Sequence, residues 1–248
     1  MSATPAGSSH RGPARLDPAT RRRVLRQGLS VGVATGAYGI SFGALAVAAG
    51  LDVWQACALS LLMFTGGSQF AFVGIIAAGG LASAASAIAA ASMLGLRNAL
   101  YALELTPLLG VRGPRRVAAA HLTIDESMAV AVTQDDVPAS RLGFWVTGIS
   151  VFVLWNLTTF VGALVGNAIG DPRTYGLDAA ACAAFIALLW PRLRSRDSVA
   201  IAVVGGVVAT LLTPTLPPGI PVVVAAAAAL LAWREPRVNG DEPIGARS

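Results

Sequence analysis

The stretch VWQACALSLLMFTGGSQFAFVGIIAAGG, Val53–Gly80, decides how this chain is read. Its length and apolar character suit a bilayer, which an α-helix crosses in about 20 residues. Its middle does not, because Met63–Phe72 carries two glycines, a threonine, a serine and a glutamine. Glycine weakens a helix by about 1 kcal/mol relative to alanine, and a polar side chain in hydrocarbon is expensive unless it is used. Non-helical backbone at membrane depth is tolerated only where protein buries it or water reaches it. The sequence therefore predicts a helix break in which Gly66, Gly67, Ser68 and Gln69 form either a binding element or a close-packed glycine crossing.

The rest of the chain is equally apolar. Of its 248 residues 55% are hydrophobic and 12% charged, where soluble domains carry about 25% charge. The runs are continuous rather than alternating, which argues against a β-barrel. The fold class expected is an all-α polytopic integral membrane protein. It should have about 7–8 transmembrane or half-membrane helices, discontinuous helices and an internal repeat. One transmembrane domain is expected over 28–233, with halves of about 28–110 and 142–233 and a connector at 111–141. A basic disordered tail is expected over 1–27 and another disordered tail over 234–248. The first apolar run, Gly28–Gly50, places Gly28, Gly32 and Gly36, then Gly39 and Gly43, at four-residue intervals. Small residues at that spacing let helix backbones approach closely in lipid.

All 18 basic residues are arginine, and most lie at the ends of apolar runs. The positive-inside rule puts those at 11–26, 112–116, 192–196 and 234–237 on the cytoplasmic side, with Arg141 beside them. That placement, not nucleic acid, accounts for the net charge of +5. The segment before Arg112 must then cross an even number of times. Four short spans satisfy this, as do two full spans around a re-entrant hairpin. A repeat is also visible: GLDVWQACALSLLM from Gly50 matches GLDAAACAAFIALL from Gly176, and the same offset brings Gly36-Ala37 onto Gly162-Ala163. Cys57 and Cys182 lie in separate apolar runs and read as packing residues.

Two further segments carry chemistry. In MLGLRNALYALELTPLL, Arg97, Tyr101 and Glu104 share one helix face, with Asn98 beside it. Arg97 and Glu104 are the only charges between Asp52 and Arg112. An arginine at membrane depth can fork onto a carboxylate, and Glu104 can accept an ammonium group or a proton. The alternatives are a structural Arg–Glu pair, or Glu104 at the interface near Pro107. In RRVAAAHLTIDESMAVAV, His121 and Asp125 are four residues apart on an expected helix, with Glu126 adjacent. These residues form either a proton relay, since His titrates near neutrality, or the solvated face of an interfacial helix. One His and two adjacent acids are too few for a metal site. No catalytic constellation is expected, no Walker A pattern occurs, and no cofactor is implied.

Taken in order, GISFGALAVAAGLDVWQACALSLLMFTGGSQFAFVG, GLRNALYALELTP and RRVAAAHLTIDESMAVAV resemble the AzlC family, large subunits of branched-chain amino-acid exporters. The likeness extends over about Gly28 to Trp233. It implies a bacterial inner-membrane protein with a small membrane partner of the AzlD type, and the arginines at 11–26 place the N-terminus in the cytoplasm. The implied activity is export of branched-chain or other small neutral amino acids, with proton coupling the usual assumption. The family's F-x-G-[AG]-[AS]-Q-F falls on Phe64–Phe70, its N-x-R-H-x-L-Y on Gly95–Tyr101, and its A-H-x-L-T-D-E on Ala120–Glu126. Where many members have Asn and His, this chain has Gly95 and Asn98. On the residue reading above, the candidate substrate-binding set is Gly66, Gly67, Ser68, Gln69, Arg97, Asn98 and Tyr101. Glu104, His121, Asp125 and Glu126 are the proton-coupling candidates. A reading from another class is a non-transporting scaffold whose glycine faces assemble a heteromeric complex.

Overall fold

The computed structural model describes residues 16–169, 186, 189–190 and 193–231. Outside them lie the first 15 residues of the expected N-terminal tail, most of the run Leu177–Trp190 with Cys182, the second Gly-Leu-Asp at 176–178, and the C-terminal tail. The described residues form α1 (Pro18–Ala48), α2 (Val53–Leu62), α3 (Gly67–Gly79), α4 (Ala84–Leu109), α5 (Pro114–His121), α6 (Asp125–Val132), α7 (Val137–Ile169), α8 (Arg196–Leu212) and α9 (Ile220–Leu231). The protein is a helical, polytopic membrane protein.

Helix α1 begins ten residues earlier than the expected tail boundary. Asp17 caps it, its carboxylate accepting the Ala19 and Thr20 N–H groups at 2.9 and 3.0 Å. Pro18 occupies the first turn, where its missing N–H costs nothing. Residues 18–27 are therefore helix rather than tail. At 31 and 33 residues, α1 and α7 extend about 46 and 50 Å at 1.5 Å per residue, well beyond a hydrocarbon core of about 30 Å.

These two helices run parallel and touch along their length through the glycines. A methyl group added at Gly28 would meet Thr147, at Gly32 Ser150, at Gly36 Leu154, at Gly39 Thr158 and at Gly43 the Thr159 carbonyl. Gly162 answers from α7 against the backbone of Ile40. Hydroxyls add bonds across the seam: Ser150 donates to the Gly28 carbonyl at 3.1 Å and Thr158 to the Gly36 carbonyl at 2.5 Å. Lipid supplies no hydrophobic force between helices, so close backbone approach and such bonds hold the pair.

The other elements are arranged by the depth at which they meet this pair. Near its start α2 sets Trp54 against Phe160, then Ser60 beside Thr159, and the turn after it brings Phe64 to Phe152. It thus runs from the far end of α7 toward the middle. After the break, α3 climbs back: Phe70 meets Phe42 and Trp155 edge-on, and Ile75 and Ile76 pack with Ala49 and Leu51 at the end of α1. Helices α2 and α3 are therefore a re-entrant hairpin with its tip at Met63–Gly66. The long apolar stretch Gly67–Leu109 is folded in two at Gly80, where φ is +60° and ψ −161°. Helix α4 descends beside α3 and ends where Arg141 donates to the Leu108 carbonyl at 2.9 Å. Of the two arrangements open for the first half, the structure has two full spans around a re-entrant hairpin.

The connector repeats that design from the opposite end. Its polar residues at 133–136 lie near the start of α1, with Gln134 donating to Gln27 at 3.1 Å and Asp135 3.4 Å from Arg23. Its turn at Leu122–Ile124 lies deep in the bundle, where Leu122 touches Gly148 and His121 packs on Phe152. Helices α5 and α6 are a second re-entrant hairpin, and the connector returns to the arginine-bearing end without crossing. This corrects the expectation of one helix carrying His121 and Asp125, since the backbone turns between those residues.

The described residues thus show one arrangement twice, a long helix followed by a helical hairpin, while the second copy of the expected repeat over 142–233 lies in part outside the described residues. α1 with α2–α3 forms one copy, and α4 with α5–α6 forms the other, about 60 residues on. Offset by 126 residues, Gly36 and Gly162 lie in the parallel helices α1 and α7.

Candidate functional site

Both hairpin tips stop inside the bundle, and they meet. The Phe64 ring of one lies 6.0 Å from the His121 ring of the other. Arg97, from the middle of α4, joins them. Its Nη1 lies 2.9 Å from Asp125 Oδ2 at the start of α6. Its Nη2 donates to the Thr65 carbonyl in the turn before α3 at 3.3 Å. One guanidinium thus holds both tips, using the spread of donors that lysine lacks.

The local chain explains each position. Gly66 has φ +65° and ψ −105°, a conformation essentially closed to side-chain-bearing residues, and this lets the chain reverse into α3. Gly67 has no side chain to displace Arg97, since a Cβ there would sit 3.3 Å from Nη2. Ser68 and Gln69 follow in the first turn of α3, both fully buried. The Gln69 amide donates across the hairpin to the Leu59 carbonyl at 3.3 Å. In the other tip Ser127 donates to the Leu122 carbonyl at 2.7 Å and accepts the Ile124 N–H at 3.0 Å, bracing the turn before Asp125.

Buried polar atoms are nearly always paired, and exceptions mark ligand or water sites. Around the tips, Ser68 Oγ, Gln69 Oε1, Arg97 Nε and Asn98 Oδ1 are buried without a hydrogen-bond partner among the described residues. Ser68 and Arg97 offer donors, and the two amides offer acceptors. Helix α3 also directs its N-terminus, the positive end of its dipole, at the same place.

Gly66, Gly67, Ser68, Gln69, Arg97, His121 and Asp125 therefore converge, with Asn98 beside Arg97 and Tyr101 partly buried one turn further along α4. Glu126 is next to Asp125, its Oε1 3.5 Å from the Thr35 hydroxyl of α1. Glu104 does not join them. It is exposed, two turns or about 10 Å along α4 from Arg97, and the carboxylate on Arg97 is Asp125. Sequence reasoning did not find Thr35, the Thr65 carbonyl, Ser127 or the aromatic wall of Phe64 and Phe152. Thr65 and Phe64 sit inside the quoted break, but nothing local marks Thr35 or Phe152. No group of His, Cys, Asp and Glu among the described residues is arranged to hold a metal ion.

Such a molecule is a membrane protein built on paired re-entrant hairpins, with a polar, charged centre enclosed in apolar helices. The family model described as AzlC protein matches residues 30–169. An uncharacterized membrane protein of Archaeoglobus fulgidus is 35% identical over 171 residues, covering 68% of this chain and 74% of the relative. The chain belongs to the AzlC family, which is associated with amino-acid transport. No solved structure matches it.

Proposed function

We propose that this chain is the transporting subunit of a secondary exporter for branched-chain and other small neutral amino acids. The single observation carrying this reading is the set of unpaired buried polar atoms on Ser68, Gln69, Arg97 and Asn98 where two re-entrant tips meet. Broken helices at membrane depth present backbone and side-chain groups to a polar solute that lipid excludes. In this reading Arg97 receives the substrate carboxylate, and the apolar residues around the tips, Phe64 and Phe152 among them, select an aliphatic side chain. Export is driven by the proton gradient, with His121, Asp125 and Glu126 as the groups that carry the proton. The small AzlD-type subunit is the partner, and the arginine-bearing end faces the cytoplasm of a bacterial cell. The chain is a carrier, not an enzyme.

The test is efflux of labelled valine, leucine and methionine from cells expressing the chain with and without the small subunit. Arg97→Ala and Gln69→Ala are expected to abolish efflux while each variant still reaches the membrane. Normal efflux in both would sink the assignment. Loss only in Gly32→Leu would favour a scaffold that works through its glycine seam.

A further inference from the structure

The Arg97–Asp125 pair is the feature that a simple carboxylate-binding role for Arg97 leaves unexplained. An arginine waiting for a substrate carboxylate is already occupied by one, 2.9 Å away. The two partners come from different elements, α4 and the tip of the α5–α6 hairpin, and each side chain is about one quarter exposed. Separating them takes from each its charged partner, which is unfavourable at a partly buried site. The loss is offset where something supplies both a negative and a positive group in exchange. Of simple solutes, a zwitterion does so in one molecule.

Resting on the exporter reading above, we propose that Arg97 and Asp125 are the two poles of a zwitterion site. The substrate inserts into the ion pair. Its α-carboxylate replaces Asp125 on Arg97, and its α-ammonium replaces Arg97 on Asp125. No covalent bond is made or broken, and Asp125 stays ionised in the exchange, which leaves His121 and Glu126 to carry the coupling proton. The surrounding orphan groups match the two ends of such a ligand. Arg97 Nε and the Ser68 hydroxyl are donors for a carboxylate, and Gln69 Oε1 is an acceptor for ammonium N–H. Glu104, exposed and two turns away, is not the ammonium partner. The insertion also breaks the Arg97–Asp125 bridge between α4 and the α5–α6 tip, so occupancy of the site loosens that hairpin.

The proposal separates the substrate class by charge. The full chain, purified with any small subunit it retains, is titrated with L-valine, isovalerate and isobutylamine while its thermal unfolding is followed. Isovalerate lacks the ammonium group and isobutylamine the carboxylate. Hydrogen bonds to charged groups contribute about 1.5–3 kcal/mol, so each deletion is expected to weaken binding by roughly 10- to 100-fold. Asp125→Asn is expected to lose valine affinity to a similar degree yet to bind isovalerate as well as, or better than, the unaltered protein, because Arg97 is no longer occupied. A merely structural ion pair would lower the unfolding temperature without changing this ligand order. Valine binding that survives unchanged in Asp125→Asn would overturn the inference and leave the exporter reading standing. If that variant does not fold, equal binding of valine and isovalerate by the unaltered protein overturns it instead. If valine neither binds nor is exported, the exporter reading falls, and this inference with it.

Discussion

Gly43→Ala is, with Gly162→Ala, among the most severe single-methyl changes the α1–α7 seam offers. Its Cβ would fall on the Thr159 carbonyl oxygen, well inside contact distance, and 2.6 Å from the Ala163 nitrogen. Both are helix backbone and cannot rotate away, so α1 and α7 must part locally by about 1 Å. Overpacking of this kind costs about 1–3 kcal/mol, and a gap of that size forfeits a quarter to a half of each dispersion contact along it. The bonds from Thr158 to Gly36 and from Ser150 to Gly28 stretch as well, at about 0.6 kcal/mol for each one lost. Against this, alanine gains about 1 kcal/mol of helix propensity. The expected net loss is about 3 kcal/mol. Two other glycines calibrate it. At Gly28 the nearest atoms are the β-branched side chains of Thr147 and Val146 at 2.9 Å, with the Thr147 nitrogen at 3.2 Å, so Gly28→Ala should be destabilising but less so than Gly43→Ala. At Gly205 a Cβ meets nothing within 4 Å among the described residues, and Gly205→Ala should stabilise slightly. The assay is unfolding from detergent micelles by added sodium dodecyl sulfate, followed by circular dichroism. A Gly43→Ala protein as stable as Gly205→Ala would refute a tight parallel packing of α1 on α7.

The two tips can be probed in the same titration. Gly66→Ala forces a side chain into a backbone conformation at φ +65°, ψ −105° and should cost about 1–3 kcal/mol. Gly67→Ala meets only Arg97 Nη2, at 3.3 Å, and should cost less than about 1 kcal/mol; the reverse order would argue against this turn geometry. Ser127→Ala leaves the Leu122 carbonyl and the Ile124 N–H without their hydroxyl partner and should cost about 1–3 kcal/mol. Ser127→Cys should recover little of it, because a thiol is a weak donor and acceptor.

Much of this architecture is legible in the residues themselves. Composition and run length settle a helical membrane protein, because a bilayer demands long apolar segments whose backbone is satisfied internally. The glycines of α1 announce a close helix contact, and TGGSQ announces a break, because each departs from what hydrocarbon favours. Asp17-Pro18 is a helix start in plain view: Asp is a strong N-cap, and proline suits the first turn. The arginines at 21–26 point toward solvent and pull the expected tail boundary to residue 27, yet they ride on the first turns of the helix that Asp17 caps.

What the sequence by itself determined is therefore the kind of solvent this protein lives in, the points where its helices must break, and which side chains are too expensive to be idle. Only the tertiary structure decided what those points meet. Periodicity cannot tell a span from a hairpin that turns back, because both are apolar over the same few turns and differ only in the direction taken after the break. The connector misled for a related reason. Its His, Asp and Glu resemble a wet surface when counted along the chain, yet the turn at Leu122–Ile124 carries them into the bundle. There Asp125 reaches Arg97, 28 residues earlier, a pairing that depends on two hairpins entering from opposite ends and on no local signal at all.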